Sequence, residues 1–143
     1  MNTAILEHEN NYIKISDFIN HKNDIYYNTD FNLEICSGSF SGIAFCEYDI
    51  KEFINFTDEL TEMYNFNLKT ATLNEICYGS NVKFEADNTG HIIISGEIFG
   101  SGMEHTMRFK FSADQSSLMP FIQQLKRLIE NWFYKSKSVS KSV

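Results

Sequence analysis

Proline is nearly missing from this 143-residue chain, which has one, Pro120, and only seven glycines. That scarcity excludes Pro/Gly-rich linkers, collagen-like repeats and low-complexity disorder. Cysteine is also sparse. Cys36, Cys46 and Cys77 are odd in number and far apart, with no Cys-x-x-Cys pair and no histidine at zinc-ligand spacing. Neither a disulfide scaffold nor a zinc module fits, and the pattern suits a reducing compartment. No apolar run approaches the roughly 20 residues that span a bilayer. The start, MNTAILEHENN, lacks the basic segment and apolar stretch of a secretion signal. A cytoplasmic protein is expected.

Positive charge is the other shortage. Twelve Lys and Arg face nineteen Asp and Glu, for a formal charge of −7. Three of the lysines, Lys135, Lys137 and Lys141, sit in the last residues, and without them the body carries about −10. Such a body repels nucleic acid and anionic membranes and attracts basic proteins.

What the chain has is aromatic and apolar content enough for one core, with thirteen Phe residues. A single α+β domain is expected over residues 1–134. The tail 135–143, KSKSVSKSV, has no apolar period and is expected to be disordered. No internal repeat or linker shows. Phe31-Asn32-Leu33-Glu34-Ile35 alternates as a half-buried strand does. Ser37-Gly38 marks a turn into a strand over Phe40–Phe45, and Tyr12–Ile15 gives a shorter strand.

From Asp49 the period lengthens. Ile50, Phe53, Ile54, Thr57, Leu60 and Tyr64 share a helical face, with Asp49 as N-cap and Glu52 three residues on. Strands follow over about 69–77, 81–87, 90–99 and 105–112. Asp87-Asn88-Thr89-Gly90 signals a tight hairpin. Placing Asp87 opposite His91 puts Val82, Phe84 and Ala86 on one face with Ile92, Ile94, Gly96 and Ile98, and needs Gly90 left-handed. Pairing Ile98 with Met107 buries Phe109 and Phe111 and sets Glu97 opposite Arg108. The last helix is a continuous stripe of Leu118, Phe121, Ile122, Leu125, Leu128, Ile129 and Trp132, with Ser117 as N-cap and Pro120 in the tolerated first turn. The sum is a largely antiparallel sheet with two amphipathic helices packed on one face.

Catalytic machinery is not visible. His91 opposite Asp87 could form an acid–base pair, but no nucleophile adjoins it, and a surface cross-strand contact is the better account. The glycines of Gly96–Gly102 lead into a strand and lack a following Lys-Ser/Thr, so they form no phosphate loop. No metal or cofactor motif is present, so no metal, cofactor or catalytic residue is assigned.

One constellation stands out. Glu52, Asp58, Glu59 and Glu62 line the outward face of the first helix, with Glu47 and Asp49 just before it and Lys51 as its sole cation. Phe56 and Met63, seven residues apart, border that face. A solvated helix face can carry such charges. The lack of balancing lysines and the apolar border favour a docking surface for a basic partner. Competing readings are a non-catalytic module for a small apolar ligand, with Met103, Met107 and Met119 lining a cavity, and a small hydrolase using His91 and Asp87. Spare strand edges leave a homodimer open.

Gly90-His91-Ile92-Ile93-Ile94-Ser95-Gly96, then Met107-Arg108-Phe109-Lys110-Phe111, then Asp114-Gln115-Ser116-Ser117-Leu118 resemble the C-terminal half of WapI-type immunity proteins of bacterial polymorphic toxin systems. Phe45-Cys46-Glu47-Tyr48-Asp49 and the helix after it are similar in order and spacing. The resemblance covers about residues 30–133 and departs at Ser116, where the family usually has Thr. It implies a non-enzymatic, cytoplasmic antitoxin that binds the C-terminal effector domain of a cognate toxin, often a nuclease. The matching motifs are mostly structural and imply no particular contact residues.

Overall fold

The structure is a computed structural model that describes the backbone of residues 2–21, 23–25, 27–75 and 77–141, and the side chains of these except at 101 and 134–141. Its strands are β1 (Ala4–His8), β2 (Asn11–Asn20), β3 (Thr29–Ser37), β4 (Phe40–Tyr48), β5 (Thr70–Asn74), β6 (Asn81–Ala86), β7 (His91–Phe99) and β8 (Thr106–Asp114). Helix α1 (Ile50–Tyr64) follows β4, and α2 (Leu118–Lys141) follows β8. The fold is α+β, and every strand pairing is antiparallel.

The strands form two sheets, not the single one expected: β1-β2-β3-β4 and β5-β6-β7-β8. Four strands and a helix occur, and then four strands and a helix again. This architectural repeat has no counterpart as a sequence repeat, because what recurs is an alternation of apolar and polar positions and not residue identity. A division into two sheets is equally invisible to periodicity. Residues of period two say which face is buried, not which strand lies alongside.

Within each sheet, rows of side chains make the inner face. Ala4, Ile15, Leu33 and Ala44 are in register across the first sheet. Ala71, Phe84, Ile94 and Phe111 are in register across the second. All eight are buried. The expected hairpin registers hold: Phe84 faces Ile94, Ile98 faces Met107, and Glu97 faces Arg108, with the ion pair at 3.5 Å. Gly90 adopts φ of 85°. At Gly96 a Cβ would lie 2.0 Å from the Asn81 carbonyl oxygen, so only glycine lets β6 approach here.

The helices do not simply cover one sheet face. Helix α1 sits between both sheets: Phe53 packs on Phe31 of the first (ring centroids 5.5 Å), and Phe56 on Phe84 of the second (5.6 Å). Phe121 of α2 stacks on the same Phe84 at 6.1 Å. One apolar core therefore spans both sheets and both helices. Asp49 caps α1, its carboxylate accepting the Lys51 amide at 2.9 Å. At the other end of α1 the Gln115 side-chain amide donates to the Met63 and Tyr64 carbonyls at 3.2 and 3.1 Å. The Met63 carbonyl also accepts the Phe66 backbone amide at 3.1 Å, and α1 has no basic residue in its last turn. Ser117 belongs to a short 3-10 turn, Gln115–Ser117, that runs directly into α2. The apolar stripe of α2 reaches Trp132 as expected. The helix itself continues to Lys141, beyond Tyr134. Ser142 and Val143 of the expected tail lie outside the described residues.

Candidate functional site

The acidic residues singled out from the sequence fall on and beside α1, but their surroundings differ. Glu52 and Asp58 are exposed, and Glu47, Asp49, Glu59 and Glu62 are half-buried. Asp49 is the helix cap. Glu59 accepts the backbone amide of Thr72 at 3.2 Å. That amide is on β5, an edge strand whose outward N–H groups lack a sheet partner. Glu62 accepts from the Asn67 side chain at 2.8 Å, at the C-terminal end of the helix. Glu47 lies 3.8 Å from the Cys77 thiol.

Phe56 and Met63 are corrections. Each is 1% exposed, so neither offers an apolar anchor at the edge of the acidic face. The reason is geometric. A helix resting on one surface buries one stripe, whereas α1 is held by both sheets and by α2, and its buried arc widens to include these two.

Between α1 and β5 the structure opens a cleft of about 270 Å3, walled by Glu52, Asn55, Phe56 and Glu59 of the helix, Thr72, Leu73 and Asn74 of the strand, and Tyr48. Among the described residues no cationic side chain lines it. Tyr48 was given no role of its own from the sequence. It is 2% exposed, stacks on Phe31 at 5.1 Å, and its buried hydroxyl has no hydrogen-bond partner among the described residues. Leaving such a hydroxyl unpaired costs about 1–3 kcal/mol. Burial pushes its pKa far up, and the nearby Cys46, Glu75 and Glu52 push the same way.

Glu75 was also missed. Its side chain is almost wholly buried in the β5–β6 connection, where one oxygen accepts the Tyr78 amide at 2.7 Å and the other has no partner among the described residues. Burial raises its pKa, against the lowering effect of backbone amides led by that of Tyr78. Nothing in the local pattern separates it from the other glutamates. Its burial is imposed by a loop that folds back, with the Glu75 amide on the Ser80 carbonyl at 2.7 Å.

The His91 cluster is a surface feature. Asp87 lies 3.6 Å from His91, and the Thr89 hydroxyl 2.9 Å from its ring nitrogen. All three are solvent-exposed on the hairpin turn. Asp87 has a lowered pKa because it accepts hydrogen bonds from Thr89 and from the His91 backbone. A second concave region, near 640 Å3, lies where β4 passes the β7–β8 turn, and there Phe40 and Ile43 are 73% and 57% exposed. Phe45 beside it is 46% exposed. Met107, which the sequence offered as a liner of an apolar-ligand cavity, is one of its walls. Among the described residues no group of three or more His, Cys, Asp or Glu is placed to hold a metal, and no helix is long and apolar enough to cross a membrane.

The model of the WapI-like immunity protein family matches residues 7–132, and the chain belongs to that family. Among curated proteins no match is found. A solved structure, "Crystal structures of trypanosoma bruciei MRP1/MRP2", aligns with a TM-score of 0.47 and 8% identity over 96% of this chain and 86% of that one. A likeness at that level carries no argument about function.

Proposed function

We propose that this chain is an immunity protein that binds the C-terminal effector domain of a cognate toxin and blocks it by occupying its active surface. It works in the cytoplasm and by binding, without turnover. The observation that carries this reading, beside family membership, is the one-signed field of α1: Glu52, Asp58, Glu59 and Glu62 against Lys51 alone. Effectors that act on nucleic acid present Lys/Arg surfaces to phosphate. An acidic helix face fills such a surface in place of the substrate, and its field accelerates encounter. A nuclease is therefore the effector class that fits best. Glu52 and Asp58 are the exposed carboxylates free to make contact, while Asp49, Glu59 and Glu62 also hold the helix and its neighbours in place.

The test is co-expression. The effector domain encoded beside this chain should arrest growth alone and be silent with the chain present, and the two should copurify at low salt. Undiminished toxicity in the presence of folded, soluble chain contradicts the reading.

A further inference from the structure

We propose that the cleft between α1 and β5 is a socket for one lysine or arginine side chain of the partner protein, held by Glu52 and Glu59 with the Tyr48 hydroxyl as an additional ligand. For the partner's identity this rests on the toxin-binding reading; the cation chemistry stands on the cleft alone.

Two carboxylates share the cleft with no cation among the described residues. Glu59 uses one oxygen on the Thr72 amide, and no hydrogen bond occupies its other oxygen among the described residues. Phe56 and Leu73 give apolar wall against which the methylene stem of a long basic side chain packs. The volume, about 270 Å3, is on the scale of a side chain and below the roughly 300–1,000 Å3 of small-molecule sites. The independent sign is Tyr48. It is 98% buried by its 2% exposure, it walls the cleft, and its hydroxyl has no partner among the described residues. Buried polar atoms in folded proteins are paired, and an unpaired one calls for an explanation. An incoming ammonium or guanidinium brings donors for the hydroxyl's lone pairs.

The probe is Nα-acetyl-arginine amide, titrated into the full chain and followed by amide NMR, with the neutral Nα-acetyl-citrulline amide as the second arm. Saturable shifts confined to residues 52–59 and 72–74, present with arginine and absent with citrulline, are expected. Tyr48→Phe should weaken arginine binding by at least about threefold while thermal stability stays level or rises, because no hydrogen bond is lost. Glu52→Gln, on an exposed position, should weaken it comparably with the fold unchanged. Equal shifts with citrulline, shifts spread evenly to Asp58 and Glu62, or arginine binding indifferent to both variants overturn the socket. Protection of cells without a localised arginine response overturns the socket and leaves the immunity reading intact. A localised response without protection supports the socket and overturns that reading.

Discussion

The Glu59 carboxylate accepts the Thr72 amide at 3.2 Å and so ties α1 to the exposed edge of the second sheet. An acidic residue that looks in sequence like one more surface charge thus closes a strand edge that would otherwise offer its N–H groups to another chain. It also means that not every carboxylate of this face tests partner binding cleanly.

Glu59→Lys removes this bond and should destabilise the fold by about 1 kcal/mol, read as a lower urea midpoint. Glu52→Lys and Asp58→Lys should stay within about 0.5 kcal/mol of the parent, since both side chains are exposed and make no hydrogen bond among the described residues. Equal stability for all three would show that the edge contact contributes nothing.

Gln115→Ala should cost about 1 kcal/mol, because the Tyr64 carbonyl loses the Gln115 donor and the Met63 carbonyl is left with the Phe66 amide alone. Amide exchange should quicken at residues 62–66 and not at the start of the helix. Uniform exchange along α1 would contradict the capping role.

Gly96→Ala should be the most damaging small substitution, at or above the upper end of about 1–3 kcal/mol. The added methyl meets the Asn81 carbonyl oxygen at 2.0 Å, and backbone on backbone has little room to yield. Urea unfolding of the variant measures it, and a near-neutral result would mean that β6 and β7 are not paired in this register.

Glu75 sets a pH dependence with a definite sign. Burial raises its folded-state pKa above the ordinary carboxylate value of 4.5. Between the unfolded and folded values the native state holds more protons, so stability falls as pH rises through that window. Its charged form burdens the fold at neutral pH. Glu75→Gln keeps an oxygen for the Tyr78 amide and should flatten this slope in a difference between variant and parent unfolding curves. Parallel curves at all pH values would contradict it.

Much of the architecture could be read from the chain, and the reasons are local. The 87–91 turn and the 98–107 pairing followed from alternation on both sides, since a one-residue slip would turn Phe84 and Ile94 to opposite faces. Strand β1 was not legible. Ala4 to His8 is five residues long, and its partner β2 bends at a bulge between Ser16 and Ile19. The turn joining them places Glu9 and Asn10 at positive φ, which the residue types only weakly announce.

The candidate site was legible as a charge pattern and not as a shape. Glu52, Asp58, Glu59 and Glu62 were evident from helical spacing. Phe56 and Met63 were misplaced because helical phase cannot say how many neighbours a helix has. Tyr48 and the cleft needed the packing of β5 against α1, a contact that no local pattern encodes.

The most direct test of the account is the affinity of the purified chain for its cognate effector domain, measured by interferometry across a salt series. The account predicts a tight complex whose association rate falls as salt rises, with Glu52→Lys and Asp58→Lys together slowing association further. A complex that forms at the same rate in low and high salt and ignores both reversals, or no complex at all, would contradict it.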